Sequence, residues 1–298
     1  MHLKIGSRGS PLALVQTNIF INALKKFHDF TYEIIKVKTT GDLILDKPLY
    51  DIGGKALFLK ELEEALLDKK IDLAVHSLKD VPGIIDDRFM LGCFLEREYP
   101  QDCLISKKYK NIKELKSDSV IGTSSPRRAA FIKQIRPDLN ILHIRGNINS
   151  RLERLVKGEF DAIILAEIGL RRLNLYDPTF CNPIPVDDMI PAVGQGVITC
   201  EILKENNMLK EILNKINDKA SEFSVSIERE FLETLQADCK TPVAGYVRMV
   251  NGLHKGVFMI GSDDSTIIKT CDIEIDISLP KIGKKIANQI LKEFNSLT

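Results

Sequence analysis

Residues 119–131 read SVIGTSSPRRAAF: an apolar strand-like run, three hydroxyl side chains, a proline, two arginines and the start of a helix. A strand that passes through a short turn into a helix is the repeating half-unit of α/β architecture. Ser125 is placed to cap the helix, and Pro126 to occupy its first position, where a backbone N–H would have no partner anyway. Arg127 and Arg128 then fall in the first turn, beside unpaired N–H groups that already carry partial positive charge. A cation there is unfavourable by a few tenths to about 1 kcal/mol. The placement becomes tolerable if a ligand's carboxylates neutralise the two guanidinium groups.

Three further stretches repeat the device. In GSRGSPLALVQ (6–16), Arg8 stands ahead of the cap Ser10 and of Pro11. In HIRGNINSRLERL (143–155), Arg145 and Gly146 precede the cap Asn147, and Arg151 follows one turn into the helix. GLRRLNL (169–175) supplies Arg171 and Arg172. Any one of these is adequately read as a capped helix with solvated arginines. Four in one chain point to a polyanionic ligand, because strand-to-helix junctions of open α/β sheets are where ligands bind and helix N-termini attract anions.

The distribution of basic residues agrees. Residues 120–172 hold 8 of the 13 arginines but only 2 of the 29 lysines. Lysine serves general solubility equally well, so the split calls for planar, bidentate pairing with carboxylate or phosphate. The formal charge of +1 argues against a nucleic-acid binder that works by bulk electrostatics. No apolar run reaches membrane-spanning length, and MHLKIGSRGSPLAL lacks the apolar core of a signal peptide. The six cysteines include no CxxC pair, so reduced thiols and a cytoplasmic location are expected. Cys200 and Cys271 sit in strand-like runs as core residues. No two histidines have metal-ligand spacing, and no bound metal is expected.

Working outward, strands are expected at 2–7, 31–38, 71–76, 119–123, 140–144 and 161–166, with helices at 11–27, 56–68, 127–136, 148–157 and 205–216. The two runs 1–95 and 100–195 have the alternation of two similar lobes. TTGDLILDKPLYDIGGK (39–55) has turn formers at both ends and no periodicity, and reads as a lid. From about residue 218 a helix (220–235), strands at 243–250, 256–261 and 266–276, and a closing helix (281–294) form a small α+β domain. No Walker or dinucleotide motif fits: GGKALF lacks the Walker spacing, and GQG at 194–196 is not GxGxxG.

IDLAVHSLKDVPG (71–83) carries a buried strand into Ser77, Lys79 and Asp80 before Val-Pro stops regular structure. Lys79–Asp80 is readable as an ordinary turn pair. Equally, a carboxylate at a strand's end can accept hydrogen bonds from ligand N–H groups and stabilise developing positive charge. The residues alone leave both readings open.

Taken together, SRGSPLAL, TTGDLILD, GGKALFLKELEEALL, DLAVHSLKDVP, IGTSSPRRAA, RGNINSRLERL, DAIILAEIGLRRL, PAVGQG and ADCKTPVAGY resemble, from end to end, the porphobilinogen deaminase (hydroxymethylbilane synthase) family. The resemblance implies a transferase of tetrapyrrole and heme biosynthesis that joins four porphobilinogen molecules head to tail with loss of ammonia. Growth occurs on a dipyrromethane cofactor in thioether linkage to a cysteine, and water releases hydroxymethylbilane. It implies Cys239 as the attachment point and Asp80 as the catalytic carboxylate, stabilising an azafulvenium cation. It places Ser77, Lys79, Thr123, Ser125, Arg127, Arg128 and Arg151 on the cofactor. Arg8, Ser10, Gln16, Arg145 and Arg172 fall on the substrate, with Lys55 and Phe58 on the lid side.

The implied fold is two periplasmic-binding-protein-like (type II) α/β lobes with a cleft between them, plus the small C-terminal α+β domain. The boundaries are 1–96 with 197–216, then 97–196, then 217–298. A monomer binding neither nucleic acid nor membrane is expected. Three positions depart from the family pattern: Ala56 for glycine, Pro126 for leucine, and Ala237-Asp238 for Gly-Gly before the cysteine. Two rival classes remain beside the transferase, a two-lobed binding protein without chemistry and an RNA-binding module. An adduct on Cys239 separates the transferase from the first. Near-zero net charge and the lack of clustered aromatics weigh against the second.

Overall fold

A computed structural model describes residues 1–40, 59–237 and 241–297. Apart from Thr39 and Thr40, the expected lid lies outside the described residues, as do Lys55, Ala56, Phe58, Asp238 and Cys239, the expected attachment point. The chain divides into two compact units, Met1–Glu98 with Gly194–Ser224 and Tyr99–Val193 with Val225–Thr298.

The first stretch of chain forms β1 (His2–Arg8), α1 (Pro11–Lys25), β2 (Thr31–Val37), α2 (Lys60–Leu67), β3 (Leu73–Ser77) and β4 (Phe89–Phe94). Then come β5 (Asp102–Ile105), β6 (Val120–Gly122), α3 (Pro126–Ile135), β7 (Asn140–Leu142) and α4 (Ile148–Val156). β8 (Ala162–Ala166), α5 (Glu167–Arg172) and β9 (Cys181–Pro183) follow. The remainder is β10 (Ile198–Leu203), α6 (Asn207–Asn214), α7 (Lys219–Leu235), β11 (Val243–Val250), β12 (Leu253–Gly261), β13 (Ile268–Glu274) and α8 (Ile282–Asn295).

In the first unit the sheet order is β2-β1-β3-β10-β4, with β1, β2 and β3 parallel and β10 antiparallel to both its neighbours. In the second it is β7-β6-β8-β5-β9, with β6, β7 and β8 parallel and β5 reversed. Each sheet therefore places its second strand outside its first, its third inside, and one reversed strand next. Two sheets of one topology are what the likeness to type II lobes predicts. The reversed strand in each comes from beyond the local run of elements: β10 returns to the first sheet after PAVGQG, and β5 enters the second ahead of its parallel strands.

Local rules explain the helices. All three expected caps hold: Ser10 accepts from Ala13 N, Ser125 from Arg128 N and Asn147 from Ser150 N. The inner face of α1 is Gln16, Thr17, Phe20, Ile21 and Leu24, at helical spacing. Phe20, Ile21 and Leu24 join Leu3 and Ile5 of β1, Leu73 of β3 and Cys200 and Ile202 of β10 in one core cluster. The strands not expected from periodicity, β4, β5, β9 and β10, are short, and β5 and β10 are almost wholly buried, so no alternation marks them, although β10 is the strand-like run around Cys200.

β11, β12 and β13 form an antiparallel sheet. Ala244, Val257 and Met259 from it share a core cluster with Leu104, Ile121 and Phe131. Cys200 is buried as expected, whereas Cys271 is only partly buried, because β13 is an edge strand. α7 is followed by Gln236 in the left-handed region, with φ +49.

Candidate active site

Parallel pairing sends the C-terminal ends of β1 and β3 to one edge of the first sheet. Arg8 closes β1 and is half-buried; Ser10 follows, with its hydroxyl oxygen engaged by the helix cap. From β3 the chain enters a single tight turn, Leu78–Asp80. Gln16, buried on α1, donates from Nε2 to Ser77 Oγ at 2.6 Å. Sequence reasoning had set these two residues in different motifs; here they are one bonded pair.

The turn is held from behind by PAVGQG. Leu78 N donates to Val197 O at 3.0 Å. Lys79 Nζ donates to Gln195 Oε1 at 3.2 Å, and Gln195 is 1% exposed. Both glycines are required: a Cβ on Gly194 (φ +71) would lie 2.6 Å from Leu78 Cγ, and on Gly196 (φ +94) 2.2 Å from Glu98 O. Lys79 and Asp80 both belong to this turn. Asp80 stands exposed at the tip, and among the described residues no hydrogen bond engages its carboxylate. Beneath the turn, His76 Nε2 is 3.3 Å from Glu201 Oε2 on β10, with both side chains inside the sheet.

In the second unit the parallel strands β6, β7 and β8 likewise end at one edge. The TSS turn is locally bonded. Thr123 Oγ1 accepts from Ser125 N at 3.2 Å, Ser124 Oγ donates to Ile144 O, and Ser125 Oγ caps α3.

The first-turn arginines have a protein partner that the sequence reading missed. Asp102, at the start of β5 and 0% exposed, accepts from Arg127 through one carboxylate oxygen and from Arg128 through the other, each at 2.7 Å. Arg127 also donates to Ile190 O at 2.7 Å, and Arg128 to Ile164 O at 2.9 Å. The expected neutralisation by a ligand's carboxylates is thus preceded by one from within the protein: Asp102 supplies one negative charge against two positive ones. Burial, against the pull of Asp102, leaves the Arg127 pKa below that of an ordinary guanidinium, with the Arg128 charge adding to the decrease. Arg128 Nε is buried without a hydrogen-bond partner.

Arg151 donates from Nε to Gly146 O at 2.8 Å. Burial first, then the charges of Arg128 and Arg145, push its pKa down to about 10. Three arginines thus press on one another in this unit. Arg172, at the end of α5, is 9% exposed. Its neighbour Arg171 belongs to the scaffold: it donates to Glu167 Oε1 at 2.7 Å and lies 3.9 Å from the ring centroids of both Tyr99 and Tyr176. GLRRLNL is therefore a helix end rather than a fourth anion-facing N-terminus.

Among the described residues no group of three or more His, Cys, Asp or Glu side chains is arranged to hold a metal ion. No described helix is long and apolar enough to cross a membrane. What the arrangement can hold is a polycarboxylate. Asp102 is bonded to both Arg127 and Arg128, Arg151 feels the charges of Arg128 and Arg145, and the buried Arg128 Nε has no hydrogen-bond partner among the described residues.

The family model described as "Porphobilinogen deaminase, dipyromethane cofactor binding domain" matches residues 3–211. A protein of Rickettsia canadensis (strain McKiel) named porphobilinogen deaminase is 48% identical over 294 residues, covering 98% of each chain. The protein of that name from Rickettsia akari (strain Hartford) is 49% identical over 298 residues, covering 97% of this chain and 99% of its own. Among solved structures, the probable amino-acid ABC transporter extracellular-binding protein ytmK from Bacillus subtilis aligns with a TM-score of 0.46 at 12% identity, covering 72% of this chain and 90% of its own.

Proposed function

The chain belongs to the porphobilinogen deaminase family, and from that premise we propose how its own residues divide the labour of the family's reaction. That reaction is the transferase activity of hydroxymethylbilane synthase: four porphobilinogen molecules are condensed head to tail with loss of ammonia, and hydroxymethylbilane is released by water. The covalently attached dipyrromethane cofactor supplies the primer from which the chain grows.

One observation carries the assignment of the binding residues: Arg151 feels the charges of Arg128 and Arg145, and burial first, with those charges second, brings its pKa down to about 10. Such a cluster is electrostatically unfavourable unless a polyanion is received there. Each pyrrole unit brings an acetate and a propionate, so cofactor and growing chain provide the missing carboxylates. We assign Ser77, Lys79, Thr123, Ser125, Arg127, Arg128 and Arg151 to holding the cofactor. Arg8, Ser10, Gln16, Arg145 and Arg172 are assigned to the incoming substrate. Lys55 and Phe58, and Cys239 as the thioether position, complete the set from outside the described residues.

Asp80 is the catalytic group. As ammonia leaves a porphobilinogen unit, positive charge develops over the pyrrole ring. A carboxylate held at the tip of a rigid turn stabilises that charge and accepts hydrogen bonds from pyrrole N–H, and it can carry a proton away from the ring after bond formation. Gln195 holds Lys79 through Nζ beside it. We place the protein in the cytoplasm as a monomer acting on porphobilinogen alone, with 1–96 and 197–216, 97–196 and 217–298 as its three domains.

Intact mass of the purified chain under denaturing conditions tests the covalent assignment. The expected result is an added mass of two linked pyrrole units, absent from Cys239→Ser. An unmodified wild-type chain with full activity overturns it.

A further inference from the structure

We infer that Asp102 is the positioning residue of the anion site: one buried carboxylate that fixes two guanidinium groups in advance and sets how much positive charge the site presents. This rests on the reading of the site as a carboxylate receiver but goes beyond it, since Asp102 belongs to none of the motifs that carry the family resemblance.

The geometry is that of a clamp. Asp102 is 0% exposed, and its two oxygens are divided between Arg127 and Arg128 at 2.7 Å each. Each arginine has its other terminal nitrogen on a backbone carbonyl, Ile190 O for Arg127 and Ile164 O for Arg128. Four acceptor atoms therefore determine the planes of both guanidinium groups. A free arginine loses rotamer freedom when it captures a carboxylate; one already held does not, and the ligand binds more tightly for that reason. What the clamp leaves over is informative. Arg128 Nε is buried with no hydrogen-bond partner, although the rest of that guanidinium is paired.

The charge balance points the same way. Without Asp102, two adjacent buried cations would lose the carboxylate that both of them bond, which is strongly destabilising. A second internal carboxylate would cancel the attraction for a ligand. One carboxylate for two arginines leaves both buried, ordered and still cationic. Asp102 neither touches the reacting atoms nor moves a proton; it acts through Arg127 and Arg128.

The test compares the full wild-type chain with Asp102→Asn, which keeps the shape and one acceptor oxygen but removes the charge. Leu104→Ala, a truncation on the same strand, serves as a stability control. Melting temperature, the fraction of chain carrying the pyrrole adduct by intact mass, and KM against kcat for porphobilinogen are measured on each. Asp102→Asn is expected to lose the adduct at least tenfold, and its loaded fraction to show a raised KM with kcat little changed. Leu104→Ala, destabilised as much or more, keeps the adduct. A full adduct with wild-type KM in Asp102→Asn overturns the inference, as does loss of adduct in proportion to melting temperature in both variants.

If Asp102→Asn does not fold, Asp102→Glu retains the charge and displaces the carboxylate by one methylene. It is expected to fold with the adduct partly lost, and wild-type values would overturn the proposal. A wild-type chain without adduct contradicts the attachment at Cys239 instead. Asp102 is then judged by calorimetric binding of porphobilinogen, expected to weaken at least tenfold in Asp102→Asn and overturning the inference if unchanged.

Discussion

Lys79 Nζ donates to Gln195 Oε1 across 116 residues of sequence, at 3.2 Å. Lys79 lies in the tight turn that follows the first sheet's third strand, and Gln195 lies between two glycines with positive φ just ahead of the strand that returns to that sheet. The bond ties the turn bearing Asp80 to the chain's way back. Replacing Gln195 by alanine removes from the Lys79 ammonium an acceptor worth about 0.5–1.5 kcal/mol net. Turnover is expected to fall roughly five- to thirtyfold, the equivalent of about 1–2 kcal/mol. Steady-state kinetics with a parallel melting curve reads this, and unchanged kinetics would show that Gln195 only fills space.

Asp80 is exposed and makes no hydrogen bond among the described residues, so Asp80→Asn has little to disturb in the fold. Stability should stay within about 0.5 kcal/mol of wild type. Turnover should fall by about 10²–10³ or more, the scale for removing one preorganised electrostatic stabiliser. A wild-type rate in a single-turnover assay would remove Asp80 from the chemistry.

Arg127 and Arg151 should part company on stability. Arg127→Leu leaves half of the buried Asp102 carboxylate unpaired, which costs about 3–5 kcal/mol. Arg151→Leu removes a cation that its neighbours repel, and gives up one hydrogen bond to Gly146 O. The two effects oppose each other, so its unfolding free energy should move by less than about 1 kcal/mol. Both variants should retain the pyrrole adduct poorly. Denaturant titration and intact mass, run on each, separate the scaffold contribution from the ligand contribution.

Glu63 on α2 gives a pH dependence. Burial, then the charges of Glu201 and Asp86, raise its carboxyl to about 7, against the opposing pull of His76 and Arg88. The folded protein therefore holds this proton more tightly than the unfolded chain. From pH 4.5 to about 7 the folded state binds more protons than the unfolded one, so this group's contribution to stability declines as pH rises through that window. Since the side chain is only partly buried, screening limits the effect to about 1 kcal/mol. Glu63→Gln should melt higher than wild type at pH near 8 and no higher near pH 4. Equal differences at both pH values would exclude the group as the cause.

Much of the fold was legible because its signals are local. A cap, a proline at the first helical turn and a 3.6-residue stripe lie within four residues of one another, which is why α1, α3 and α4 began where Ser10, Ser125 and Asn147 placed them. The surplus of arginine over lysine within residues 120–172 was legible too, being a count. Asp102 was not. In QDCLI it is a single acid before an apolar run, and only its antiparallel placement beside β8 brings it to Arg127 and Arg128. The one available clue was that two arginines in a first turn need a counterion from somewhere, and the protein supplied it internally.

By itself the sequence determined the strand-and-helix alternation, the capped junctions, the local concentration of guanidinium and, through its ordered motifs, the family. Tertiary structure alone decided which strand runs backwards in each sheet, that Gln16 bonds Ser77, that Gln195 holds Lys79, and that one carboxylate serves two arginines. The physical reason is range. Backbone geometry and capping act over a few residues and are written in neighbouring letters. A buried ion pair or a sheet neighbour exists only after a long excursion of chain has closed, and its partners carry no mark of one another until then.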